Sequence, residues 1–177
     1  MRRFVIFAVV IPFIVEFIVA VVATFDCGPT WIIIFGDRYF EPDMPEQVIR
    51  EALPFIDAIA IQPTTKKFHP DFFTRLSARY GKPIYIADHV TSFRTREHPN
   101  TMSQVTTDPD SYVDYYTEYV TSALSHPSVI GYNKCQYQDQ LSPNGMLKQG
   151  LLRQDERPYA VVEGIGKGNR KALELAY

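Results

Sequence analysis

Four short apolar runs each stop abruptly at polar or charged residues. They lie at 31–35, stopped by Gly36-Asp37-Arg38; at 58–61, stopped by Gln62; at 83–87, stopped by Asp88-His89; and at 129–132, stopped by Asn133-Lys134. Short β-branched runs without polar alternation suit strands buried on both faces, as in a parallel sheet. The segments between them have helical spacing. Pro45 opens one, with Asp43 and Glu46 early and Val48, Ile49, Ala52 and Leu53 on one face. His69-Pro70 opens the next, with Phe72, Phe73, Leu76 and Tyr80 as its apolar face and Gly81 as its cap. Asp108-Pro109-Asp110 starts a third, carrying Tyr112, Val113, Tyr116, Tyr119, Val120 and Ala123, and His126-Pro127 ends it. The fourth strand runs from 129 to about 137, and a last helix follows at about 160–175. The expected fold is α/β, a run of four βα units whose chemistry sits at the C-terminal ends of the strands.

A chain of 177 residues suffices for one domain with a real core. The net charge of −2 offers no basic field, which argues against a nucleic-acid partner. Neither Cys27 nor Cys135 sits in a zinc-type spacing, so no metal is expected; a disulfide between them is left open. No phosphate loop, nucleophile elbow or dinucleotide fingerprint occurs, and no cofactor is expected. Eleven tyrosines allow two readings: flat amphipathic rings suit sugar binding, and the same rings pack helices on a sheet.

Residues 1–25 stand apart. Arg2-Arg3 precedes an almost unbroken apolar stretch at 4–23, which reads as a signal peptide cut after Ala23, as a membrane anchor, or as a spurious upstream extension. Glu16 and Pro12 disfavour the first two. The domain proper is expected at 26–177, secreted, periplasmic or membrane-anchored, with a homodimer covering its open sheet edges.

The strand ends would bring Asp37, Arg38, Gln62, Asp88, His89, Asn133, Lys134, Gln136 and Asp139 to one rim. Asp88 follows its strand directly, where a carboxylate serves as nucleophile or general base; its structural alternative is a loop cap or an ion pair with Arg38 or Lys134. His89 reads as an acid/base group, a substrate donor or a loop histidine bonded to backbone. Asp37-Arg38 also reads as an ion pair. Lys134, inside an apolar strand, should face the polar rim. His69, His98 and His126 look structural. A loop at about 88–107, with Arg94, Arg96, Glu97, His98, Asn100 and Gln104, is long enough to be functional.

Lys82-Pro-Ile-Tyr-Ile-Ala-Asp88 resembles the seventh strand of retaining glycoside hydrolases with a (β/α)8 barrel, where the pattern is K-P-apolar-apolar-apolar-x-E. His126-Pro127 and Gly131-Tyr-Asn-Lys-Cys-Gln-Tyr-Gln-Asp139 resemble the eighth strand of β-agarase-like enzymes, glycoside hydrolase families 50, 42 and relatives. Their fifth and sixth strands are similar to the segments around Phe35–Arg38 and Ile59–Gln62, and their continuation is similar to 147–152 with Arg157-Pro158-Tyr159. The resemblance spans roughly 31–177 and implies the C-terminal half of a TIM-type barrel, strands five to eight. It implies retaining hydrolysis of a galactose-containing polysaccharide or oligosaccharide, with Asp88 as nucleophile. Asp37, Arg38, Gln62, His89, Lys134, Gln136, Tyr137 and Asp139 would contact sugar. Two departures matter. Aspartate stands where the family has glutamate, and Lys134 stands where it has a tryptophan platform. The acid/base glutamate of these enzymes lies on strand four, upstream of every matched segment, so a fragment is the expected form.

Overall fold

The four apolar runs become adjacent strands. The structure, a computed structural model, describes residues 8–10, 19–25, 28–36, 46–63, 65–96, 98–99, 101, 104–106, 108–135, 137–142, 145–147 and 150–176. One sheet has six strands: β1 (Ala8–Val10), β2 (Val19–Phe25), β3 (Gly28–Gly36), β4 (Ala58–Gln62), β5 (Ile84–Val90) and, after two short strands, β8 (Val129–Cys135). Neighbours from β3 onward run parallel, β3 with β4, β4 with β5 and β5 with β8. Helix α1 (Glu46–Ala52) links the first pair, α2 (Pro70–Tyr80) the second and α3 (Pro109–Leu124) the third; α4 (Val161–Ala176) follows β8. This is the sequence of βα units expected from the apolar runs. The second strand starts at Ala58 as expected, and the fourth stops at Cys135 rather than near 137.

The apolar N-terminal stretch contributes differently. Residues 8–10 and 19–25 are not one long helix; they are antiparallel strands, β1 on β2 and β2 on β3, with Val19 opposite Ile34 and Phe25 opposite Gly28. A Val-rich segment lying along the β3 edge satisfies main-chain groups that would otherwise stay unpaired. No helix among the described residues is long and apolar enough to cross a membrane.

The helix boundaries follow their caps. In α2, proline occupies the first turn, and Gly81 closes the helix with φ 64°, donating its N–H to the Ser77 carbonyl at 2.8 Å. In α3, the Asp108 carboxylate accepts from the Ser111 N–H at 2.9 Å. Part of the expected loop at 88–107 is strand: Asp88 and His89 lie inside β5, and β6 (Ser92–Phe93) pairs with β7 (Gln104–Thr106). A further pair, β9 (Gln140–Ser142) with β10 (Gly145–Leu147), lies beyond β8.

Two apolar clusters hold the layers together. In the first, Ile59 and Ile61 of β4 and Ile84 and Ile86 of β5 meet Phe73, Leu76 and Tyr80 of α2 and Tyr119 and Ala123 of α3. In the second, Phe93, Tyr112, Tyr116 and Val120 meet Tyr159, Val161, Ile165 and Ala172. On the opposite face, Ala58 and Ala60 of β4 and Gly131 of β8 are small beside the ring of Tyr85 on β5. A Cβ on Gly131 would sit 2.7 Å from the Tyr85 ring, so β5 and β8 need that glycine for their close approach.

Candidate functional site

The C-terminal ends of β4, β5 and β8 form the rim. Register places Gln62, the last residue of β4, opposite Gly36 of β3, and His89 of β5 opposite Lys134 of β8. Between Ile86 and His89 the β5–β8 register shifts. Asp88 occupies this irregular step, one residue before the His89–Lys134 pair. Such irregularities re-aim side chains and are common beside active sites. Gln62 and Lys134 are half-buried. Asp37, Arg38 and Gln136 lie outside the described residues.

His89 is not a loop residue. Its ring is 0% exposed and stacks on Tyr119 of α3, with centroids 4.0 Å apart. Nε2 lies 3.1 Å from the Thr65 carbonyl and Nδ1 lies 2.9 Å from the Tyr132 hydroxyl. A carbonyl only accepts, so Nε2 carries the proton and donates. Nδ1 is then bare and accepts from Tyr132. Burial pulls the imidazole pKa down to about 4; the Thr65 carbonyl opposes this and the Lys134 charge adds to it. The ring is thus neutral near pH 7, with both nitrogens in use. In this arrangement it orders the strand-end backbone and presents no nitrogen to a ligand.

Asp139 is also inside, 3% exposed. Its Oδ1 accepts the Gly150 N–H at 2.7 Å and its Oδ2 accepts the Tyr159 hydroxyl at 2.6 Å. Carboxylates held by two donors are among the stronger polar anchors in a fold. The Tyr159 ring in turn carries the Arg153 guanidinium 4.4 Å from its centroid. Tyr137, by contrast, is 72% exposed. A flat ring beside the strand end, open to solvent, has the form of a sugar-stacking surface.

The rim therefore gathers Gln62, Asp88 and Lys134, with Tyr137 just beyond β8. It sets His89 and Asp139 beneath the surface. Sequence reasoning missed the partners that immobilise them. Thr65, Tyr132 and Gly150 carry no chemical signature and are brought in only by the fold. His126, expected to be structural, accepts from the Ser128 N–H at 3.3 Å and contacts the Thr74 hydroxyl at 3.1 Å. Among the described residues, no group of three or more His, Cys, Asp or Glu side chains is gathered to hold a metal ion.

No family model matches the sequence, and no curated protein matches it. Solved structures do resemble the fold. An exo-β-agarase aligns over 81% of this chain with a TM-score of 0.64 and 18% identity, and a second agarase aligns over 81% with a TM-score of 0.65 and 18% identity. A β-glucuronidase of Faecalibacterium prausnitzii aligns over 80% with a TM-score of 0.52 and 14% identity. The chain spans only 20%, 23% and 24% of those three proteins. The likeness is one of fold alone: the chain's α/β arrangement corresponds to part of these larger chains.

Proposed function

We propose that this chain is a glycosidase-type domain for galactose-containing polysaccharide, equivalent to strands five to eight of a TIM-type barrel, with Asp88 as its nucleophile. The observation that carries this reading is the position of Asp88. It sits in the irregular step near the C-terminal end of a parallel strand, flanked by the β4 end at Gln62 and by the His89–Lys134 pair. In retaining hydrolysis such a carboxylate attacks the anomeric carbon and forms a glycosyl ester. The leaving oxygen takes a proton from a second carboxyl group about 5 Å away, and water then cleaves the ester. Gln62 and Lys134 would contact sugar hydroxyls and Tyr137 would stack on a ring. Asp37, Arg38 and Gln136 are assigned to the same surface by their sequence positions. A polysaccharide is met outside the cell, so export belongs to this reading, as does a second copy of the chain across the open sheet edge.

A second reading, a non-catalytic saccharide-binding domain, is favoured by one observation. Asp139, the carboxylate that follows β8, accepts from Gly150 and Tyr159 and is held as an acceptor rather than as an acid. Both readings meet one experiment. The chain is incubated with agarose and with galactosides, and reducing ends are measured alongside saccharide binding. The catalytic reading expects release that falls at least about a hundredfold in Asp88→Asn. No release from the unaltered chain, or release equal in both, removes Asp88 as nucleophile. Binding without release leaves the second reading.

A further inference from the structure

An open cleft of about 460 Å³ lies where Phe93, Arg94 and Arg96 leave β6 and meet the starts of two helices, Pro109 of α3 and Val161 of α4. Arg153 and the Tyr159 ring complete its wall. Three guanidiniums therefore line one small concavity. A planar guanidinium cluster around a concavity favours an oxyanion placed within it. Two carboxylates of the flanking segments have partners of their own. Asp108 accepts from the backbone N–H and hydroxyl of Ser111, and Asp155 pairs with Arg157.

Arg153 is held in place before any ligand arrives. Its guanidinium lies over the Tyr159 ring and donates to the Pro158 carbonyl at 3.0 Å. Asp139 fixes the Tyr159 hydroxyl at 2.6 Å. A buried carboxylate, a tyrosine and an arginine thus form a connected support that ends at the cleft. Guanidinium is planar and forks toward oxyanions, which distinguishes this wall from a scatter of surface lysines. The N-terminal ends of α3 and α4 add dipoles of the same sign.

We propose that this cleft is an oxyanion subsite, taking the sulfate ester or the carboxylate of an acidic saccharide, with Arg96 and Arg153 as its principal contacts. The inference rests on the saccharide reading above and narrows it from sugars in general to charged ones. Asp139 then acts as a positioning residue, through Tyr159 and Arg153, rather than as a direct sugar contact.

The test compares four probes by calorimetric titration of the full chain: a neutral agaro-oligosaccharide, a sulfated galacto-oligosaccharide, an oligogalacturonide and inorganic sulfate. The subsite predicts that at least one acidic oligosaccharide binds about tenfold tighter than the neutral one, and that this advantage shrinks as salt rises. Arg153→Gln and Arg96→Gln should each erase the advantage and leave neutral binding unchanged. Arg96 is exposed, so its variant tests the subsite even if the Arg153 variant folds poorly. Preference for the sulfated or the carboxylated probe identifies the group. Equal affinity for neutral and acidic oligosaccharides overturns the subsite and leaves the glycosidase-type reading standing. Inorganic sulfate binding as tightly as the sulfated oligosaccharide overturns its assignment to a saccharide. No binding of any saccharide removes both.

Discussion

A histidine with both ring nitrogens bonded internally is a pH-dependent element of the fold whether or not it touches a substrate. In the unfolded chain the His89 imidazole takes up a proton near pH 6.5, but in the folded chain only near about 4. Between those values the unfolded state holds more protons, so stability falls as pH drops through this window and is level above it. The native ring stays neutral there chiefly because it is buried, and protonating Nδ1 would remove the acceptor that the Tyr132 hydroxyl donates to. Integrated over the window, the shift corresponds to about 3 kcal/mol at most. His89→Gln, whose amide can donate to Thr65 and accept from Tyr132, should flatten this limb. Urea midpoints at pH 7, 5.5 and 4.5 read the effect: the unaltered chain should lose more stability across the series than the variant. Parallel losses in the two proteins would contradict a buried neutral ring.

Helices α3 and α4 pack through small residues. A Cβ on Gly164 would meet the Val113 side chain at 2.6 Å, and one on Gly168 would meet the Thr117 hydroxyl at 2.5 Å. Spacing of four on each helix aligns the two contacts along one seam. Gly166, between them in sequence, faces away, and its added Cβ would meet only the Arg170 guanidinium at 3.8 Å. Three glycines in one helix therefore respond in opposite senses. Gly166→Ala gains helix propensity and should stabilise by about 0.5–1 kcal/mol. Gly168→Ala gains the same propensity but forces α3 and α4 apart, and should destabilise by roughly 1–3 kcal/mol. Thermal midpoints of the two variants moving in the same direction would show that the seam is not where the structure has it.

Across the molecule, features that a short stretch of chain dictates were legible in the sequence. The buried runs of β4 and β5, the Gly81 stop and the Asp108 cap follow from local patterns. What depends on distant partners was not. The runs at 8–10 and 19–25 are apolar without alternation, and that composition suits an anchor as well as the antiparallel strands they form. The pair β6–β7 is too short to show a period. Counting by twos from Ile86 puts His89 on the face opposite the helices, whereas the register shift returns it to Tyr119. One residue of that buried set ties the whole fold together. Tyr132 packs against both apolar clusters, as do Tyr115 and Leu124, and its hydroxyl serves His89. Its ring lies 5.9 Å from Tyr116 in the second cluster and 6.0 Å from Tyr119 in the first. The two clusters should therefore melt as one unit, with far-UV and near-UV dichroism tracing coincident urea curves. Tyr132→Phe keeps the ring and removes the bond to Nδ1, so it should cost about 1–2 kcal/mol and preserve coincidence. Tyr132→Ala opens a cavity between the clusters and should cost roughly 3–5 kcal/mol. It should also separate the two curves, because one of the three side chains shared by the clusters is lost, and with it the contacts to both Tyr116 and Tyr119. Coincident curves in Tyr132→Ala would mean that Tyr115 and Leu124 alone suffice to couple the two halves.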